Sequence, residues 1–320
     1  SNLGYKVAVY GEFSDAVTQK SISEGKGIYL NFSNFKCSTH YKYLILWRRY
    51  GTHPLISWTI SADHLYLDLH DSIPLTETCL DNLDKVDKII LRSNFHSKII
   101  CSQHKAYDLN SKMLAIKNGV RINDFVFKQN DPQRDLYRFC WCSCYKRGLM
   151  HILAWMWPLI KQKYHSATFH VYYGMDNVAE EDFKKQMNVL LKQPGVIDHG
   201  RQSVDIIIKE KQTASFHLYY SKTTAETDCI SIRESVSAGC IPIISNYNVF
   251  GEREGLKVPG DPHNYSDHQK VAFYINELLS KPDEVERIRN NMCGNEVGWD
   301  SIAKLWPVSY THLRAHETMV

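Results

Sequence analysis

Residues 219–243 read YYSKTTAETDCISIRESVSAGCIPI, an order of residue types that predicts strand, loop, helix and strand. Phe216, Leu218 and Tyr220 close a β-rich alternating run, and the polar turn formers 221–224 interrupt it. A short helix is expected from about Ile230. Gly239 can take the left-handed conformation that ends such a helix, and 240–244 form the next buried strand. Glu226 and Glu234 bracket the helix start with seven residues between them.

Open α/β sheets bind ligands beyond the carboxyl ends of their strands. Glu226 falls in such a loop, and Glu234 lies about one turn inside a helix whose first backbone N–H groups face the same crevice. A carboxylate only accepts hydrogen bonds and can take two from vicinal hydroxyls. One glutamate therefore suits a sugar and the other a ribose, with a diphosphate between them at the helix N-terminus. Taken alone, the spacing is also that of two solvated surface residues.

The wider stretch resembles the donor-site signature of glycosyltransferase family 4 and its relatives with the GT-B fold. There a glutamate, seven residues and a second glutamate precede a small-residue helix end and a Gly-x-x-Pro strand, here Glu226, Glu234, Ala238-Gly239 and Pro242. The resemblance implies that Glu226 contacts the transferred sugar and Glu234 the nucleotide ribose. It also places Ile230 and Ser231, at the helix start, against the donor.

The composition is that of an ordinary globular chain long enough for two domains: 320 residues, 43% hydrophobic and 23% charged. A formal charge of +3 is too small to argue for nucleic acid. No apolar run reaches the roughly 18 residues of a membrane span, and no signal-like segment opens the chain. Nine cysteines, an odd number without secreted-domain spacing, suit a reducing compartment.

Leu3-Gly4-Tyr5 reads as a helix end before a strand at 6–10, so the first strand, its glycine-rich turn and most of the first helix of a GT-B domain are expected to be missing. Residues 43–47 form a buried strand with Arg48-Arg49 at its end, a phosphate contact or simply solvated charge. Residues 65–69 alternate and deliver Asp68, His70 and Asp71 to a loop, where the family often has a His-Asp pair facing the cleft. His70 alone is equally a hydrogen-bonded loop histidine, and a metal cluster of His64, Asp68, His70 and Asp71 ranks third. A strand at 87–91 leads to Ser93-x-x-His96, which looks like the turn after a GT-B strand. Asn118-Gly119-Val120 looks like the segment before the interdomain linker, and the polar stretch 128–135 suits a hinge.

The second half opens with a strand at 136–141 and a helix from near Lys146 with Leu149, Ile152, Leu153, Met156 and Ile160 on one face. Ser143 and Arg147-Gly148-Leu149 resemble the family's Ser-x-x-x-Arg-Gly-Leu motif, which implies that Arg147, with Ser143 and Gly148, binds the donor diphosphate. Standing alone, Arg147 would be a surface helix cap. Many relatives carry another basic residue where Trp141 stands, so diphosphate binding is expected to rest on fewer charges than usual, or on Arg233 or Arg201. Cys140, Cys142 and Cys144 would share a strand face but lie roughly 7 Å apart, too far for adjacent ligands of one zinc ion. Strands at 168–173 and 195–197 end in Gly174 and His199-Gly200, where the nucleotide base would lie, and an amphipathic helix at 183–191 joins them. Further helices are expected at 269–279 and 284–292.

Residues 308–318, VSYTHLRAHET, resemble a translated sequencing adapter, and 308–320 are set aside as a non-native tail. The expectation is an α/β chain of the GT-B class: two Rossmann-like doubly wound domains facing a cleft, 1–130 on the acceptor side and incomplete, 131–307 on the donor side. It implies transfer of a sugar from a nucleotide-sugar to a hydroxyl acceptor with retention, with Glu226, Arg147 and His70 at the reacting centre and neither metal nor cofactor. A non-catalytic nucleotide-sugar-binding protein with a decayed site is the rival. Implied partners are a glycan, lipid or protein acceptor but no nucleic acid. The implied location is the cytoplasm or a membrane's cytoplasmic face, with room for peripheral membrane association.

Overall fold

The computed structural model describes residues 6–25, 27–48, 60–128, 133–176 and 178–306. Leu3-Gly4-Tyr5, Arg49, part of the expected hinge with the boundary at 130/131, and the tail from 308 onward lie outside these residues. The chain divides into two compact units, Ser1–Leu67 with Leu75–Lys88, and Asp68–Pro74 with Ile89–Val320.

In the first unit β1 (Ala8–Gly11) pairs in parallel with β2 (Ile28–Asn31) across α1 (Asp15–Glu24). Strands β3 (Tyr41–Trp47) and β4 (Ala62–Asp68) are neighbours, and a single turn, α2 (Glu77–Leu80), follows. The expected strands at 6–10, 43–47 and 65–69 are thus present with shifted ends, but the one at 43–47 is not the buried strand expected: only Leu46 is buried, and Trp47 is 61% exposed. The polar sequence DAVTQKSISE gives α1 little amphipathic signal, and its end is marked by Gly25 in the left-handed region, φ 66°.

The second unit begins with the parallel pair β5 (Lys88–Leu91) and β6 (Met113–Ala115), joined through α3 (Asn94–Gln103). Its main sheet is built from β7 (Asp135–Cys142), then α4 (Leu149–His151), a π-helical turn Ile152–Met156 and α5 (Trp157–Lys163). There follow β8 (Thr168–Tyr172), α6 (Glu181–Leu190), β9 (Val196–Asp198), α7 (Val204–Thr213) and β10 (Ala214–Tyr219). The unit continues with α8 (Ile230–Ala238), β11 (Ile241–Ile244) and β12 (Leu256–Lys257). It ends with α9 (Tyr265–Leu279), α10 (Pro282–Met292) and α11 (Trp299–Ala303).

The helix expected from Lys146 starts later. Residues Tyr145–Arg147 form a 3-10 turn, and Gly148 takes φ 119°, which no residue inside a right-handed helix adopts. Downstream, Pro158 removes an N–H and crowds the preceding turn, so the helix widens into the π turn before α5 begins.

All strands of the main sheet are parallel, in the order β12-β11-β10-β7-β8-β9. Numbered from β7 this is 3-2-1-4-5-6 read from the β9 edge, the dinucleotide-fold order, and it reverses direction between β7 and β10. Parallel strands covered by helices read as nearly continuous apolar runs, and Phe139, Trp141, Phe216, Leu218, Ile241 and Ile243 are accordingly all fully buried. Phe139 stacks on Phe216 and Trp141 on Tyr219, with ring centroids 5.3 and 4.5 Å apart, so the two strands flanking the reversal are locked by aromatic pairs.

Candidate functional site at the strand-order reversal

Ligands of open α/β sheets bind where the strand order reverses, beyond the carboxyl ends, and here those ends belong to β7 and β10. The chain leaving β7 passes Ser143 and turns back at Arg147-Gly148. The chain leaving β10 passes Ser221, whose hydroxyl donates to the Arg147 carbonyl at 2.6 Å, and runs on to Glu226. A Cβ at residue 148 would meet Ser221 at 3.2–3.3 Å in a backbone conformation already strained for L residues, so glycine lets the two loops close on each other.

The expected residues Ser143, Arg147 and Glu226 meet there. The Arg147 guanidinium pairs with Glu226 Oε1 and lies 3.3 Å from Ser143 Oγ. The Tyr219 hydroxyl stands 2.8 Å from Glu226 Oε1 and 2.9 Å from Ser143 Oγ. Glu226 is nearly buried whereas Arg147 keeps 35% of its side chain exposed, and its other N–H groups have no protein acceptor among the described residues. Burial, the largest single influence, disfavours the charged guanidinium, but Glu226 together with Tyr219 and Cys229 outweighs it and raises its pKa. Burial pushes the Tyr219 phenol well above its ordinary value, so it remains a neutral donor.

Glu234 and Ser231 form another group. Fully buried Lys211, on α7, donates to Glu234 Oε2 at 2.7 Å and to the Ser231 carbonyl at 2.7 Å. The Ser231 hydroxyl reaches back to the Cys142 carbonyl at 2.7 Å. Ile230, at the first turn of α8, is at the margin of exposure.

His70 is joined to the site through the backbone. Thr227 Oγ1 donates to the His70 carbonyl and Ser93 Oγ to the Thr227 carbonyl, both at 2.7 Å. The His70 ring lies 3.2 Å from Asp68, which also pairs with Arg92. His96 accepts from the Arg92 N–H through Nδ1 and contacts the Asp71 carbonyl through Nε2, an arrangement that fits the neutral Nε2–H tautomer. Asp228 is the hub: its Oδ2 accepts from the backbone and side-chain amides of Asn118 at 2.9 and 2.7 Å and from Arg233 at 3.2 Å, and Arg253 lies 3.1 Å from Oδ1.

That network corrects one expectation. Arg233 is fully buried, its Nε on Glu296 and its Nη1 on Asp228 and the Asn118 carbonyl, and its unpartnered Nη2 is buried too, so no edge of it opens to a phosphate. Arg201 lies over the Tyr173 ring, 5.0 Å from its centroid. Trp141 is core, with its indole N–H on the Ser143 carbonyl at 2.7 Å. Gly174 and His199 sit together at the ends of β8 and β9, where the Tyr173 N–H reaches the Gly200 carbonyl and His199 stacks on Tyr172 with centroids 4.4 Å apart. Of the alternating thiols, Cys140 is buried against Cys240, 3.8 Å away. Among the described residues no group of three or more His, Cys, Asp and Glu side chains is placed to hold a metal ion.

Tyr219, Lys211 and Asp228 were not legible as site residues. Tyr219 stands in a β-rich run, and neither Lys211 nor Asp228 has a part in any motif read from the sequence. Only the strand order puts the Tyr219 hydroxyl at the reversal.

No protein-family model matches the chain, and no curated protein matches it. Solved structures do. The chain is similar to a glycosyltransferase from Rickettsia africae ESF-5 over 99% of this chain and 91% of that one, at 14% identity and a TM-score of 0.68. It is similar to Alr3699/HepE of Anabaena, solved with UDP and glucose, over 98% and 91% of the two chains, at 14% identity and a TM-score of 0.59. The pneumococcal O-GlcNAc transferase GtfA, solved with UDP and GlcNAc, matches over 85% of this chain at 14% identity and a TM-score of 0.59. This chain spans 57% of GtfA's length. At such identities the likeness establishes the fold, an α/β GT-B architecture of two Rossmann-like domains.

Proposed function

We propose that this GT-B chain is a family 4-type glycosyltransferase, moving a sugar from a nucleotide-sugar to a hydroxyl acceptor with retention and without a bound metal. The observation that carries the reading is the Arg147–Glu226 couple at the strand-order reversal. Departure of a nucleoside diphosphate leaves negative charge on phosphate and positive charge on the sugar ring. Arg147, which has N–H groups to spare, and the first amides of α8 stabilise the first. Glu226 orients the sugar, Glu234 takes the ribose, and His70 lines the reacting side. Ser143 and Gly148 flank the diphosphate, Ile230 and Ser231 the nucleoside, and Gly174 and His199 the base. The acceptor is a glycan, lipid or protein, and the enzyme works in the cytoplasm or at a membrane's cytoplasmic face. Among the described residues no helix is long and apolar enough to cross a membrane.

The buried Trp141, where many relatives are basic, favours one second reading, a protein that binds a nucleotide-sugar without turning it over. Incubation with UDP-, GDP- and ADP-sugars, following diphosphate release, separates the two. Release from at least one donor, abolished in Arg147→Met, is expected. Binding without release leaves the second reading, and neither binding nor release removes both.

A further inference from the structure

Lys211 ends its side chain inside the second unit with no exposed surface, 5.6 Å from the Phe125 ring centroid. An ammonium has three donors, and three acceptors meet this one: Glu234 Oε2 at 2.7 Å, the Ser231 carbonyl at 2.7 Å and Ser231 Oγ at 3.1 Å. A buried cation needs a counter-charge, and Glu234 supplies it. Glu234 keeps 22% of its side chain exposed, and its Oε1 has no protein partner among the described residues. The carboxylate is therefore held by one oxygen and open at the other.

We propose that Lys211 is a positioning residue for donor recognition: it fixes Glu234 through Oε2 and leaves Oε1 as the one acceptor offered to the ribose hydroxyls. This rests on the reading of Glu234 as the ribose partner. A carboxylate clamped at one oxygen cannot rotate, so its remaining lone pairs point along a fixed line and favour a ligand that places a hydroxyl there. Without the clamp the carboxylate turns and hydrates, and its preference for ribose over deoxyribose falls.

The test is calorimetric titration of the full chain with UDP, GDP and ADP and with their 2′,3′-dideoxy analogues. The wild type should prefer the ribose form of at least one diphosphate by roughly tenfold or more, as expected for hydrogen bonds to a charged group. In Lys211→Met that preference should collapse to within about threefold while the dideoxy form keeps most of its affinity, by the same scale. A purely structural role would weaken both forms by the same factor and preserve the ratio. The double variant Lys211→Met/Glu234→Gln removes both charges, so no buried ion is stranded, and its ratio should equal that of Glu234→Gln alone. A wild-type ratio retained in Lys211→Met, or a double variant that differs from Glu234→Gln, overturns the inference and leaves the functional reading standing. A wild type that binds diphosphates without preferring ribose, or binds none, overturns both.

Discussion

Tyr219 shows how one hydroxyl joins fold to chemistry. Its ring stacks on Trp141 in the core while its oxygen stands at Glu226 and Ser143. Tyr219→Phe keeps the stack and removes the donor, leaving Glu226 with Arg147 alone. A loss of about 1.5–3 kcal/mol in denaturant unfolding is expected, the range for hydrogen bonds to charged groups. Turnover should fall roughly tenfold with diphosphate affinity near wild type, because the loosened group faces the sugar. An unchanged turnover would place Tyr219 in the core only. Glu226, Glu234, Ser143 and Arg147 could be singled out in the sequence only because they fall in motifs that resemble a family's, and the structure brings Ser143, Arg147 and Glu226 together. The partners that hold them were not legible, since Lys211 lies 23 positions before Glu234 and Tyr219 looks like core. Long-range pairing has no local signature.

At the scale of elements, α8 depends on an unusual entry and a well-braced exit. Cys229, just before its first residue, has φ 56° and ψ 65°, left-handed values that cost a residue with a Cβ about 1 kcal/mol. Asp228 beside it is tied down by Asn118, Arg233 and Arg253, which holds the strained turn in place. Elsewhere glycine is less stable than alanine, but here the order should invert. Cys229→Gly is expected to be about 1 kcal/mol more stable than Cys229→Ala in denaturant unfolding. The reverse order would show that the left-handed turn carries no strain. At the exit Arg134 donates to the Ala214 and Ala238 carbonyls at 2.6 Å, and Arg289 to the Gly239 carbonyl at 2.7 Å. The glycine that ends α8 was readable because only its own backbone had to be considered. The late start of the helix after β7 was not, because the apolar spacing from Leu149 to Ile160 continues unbroken through the π turn.

At the scale of the molecule, four buried histidines stay neutral and set a pH dependence, one of them His217, which burial drives well below its ordinary value. His96, His170 and His268 are each pushed down to about 4, chiefly by burial. The charged groups facing them are Arg92 and Asp71, Glu210 and Arg138, and Asp267. An unfolded histidine binds its proton near pH 6.5, whereas these three do so only near 4, so acid favours the unfolded chain. Stability should be full above about pH 6.5 and fall towards pH 4, each histidine contributing up to about 3 kcal/mol. The midpoint of urea unfolding against pH measures this, and a midpoint flat from pH 7 to 4.5 would contradict it. The parallel sheet was legible from apolar runs at regular spacing. Its strand order was not, because which strand pairs with which is decided by packing between residues far apart in sequence.

Under the proposed function the two glutamates divide the donor between them. Titration of Glu226→Gln and Glu234→Gln with nucleoside diphosphate, beside a turnover assay on the nucleotide-sugar, tests that division directly. Glu234→Gln should weaken diphosphate binding by roughly 1.5–3 kcal/mol, because the ribose is common to donor and product. Glu226→Gln should leave diphosphate affinity at or slightly above wild type, since Arg147 loses the carboxylate that competes for it, and should lower turnover instead. Equal losses of diphosphate affinity in the two variants would contradict the assignment.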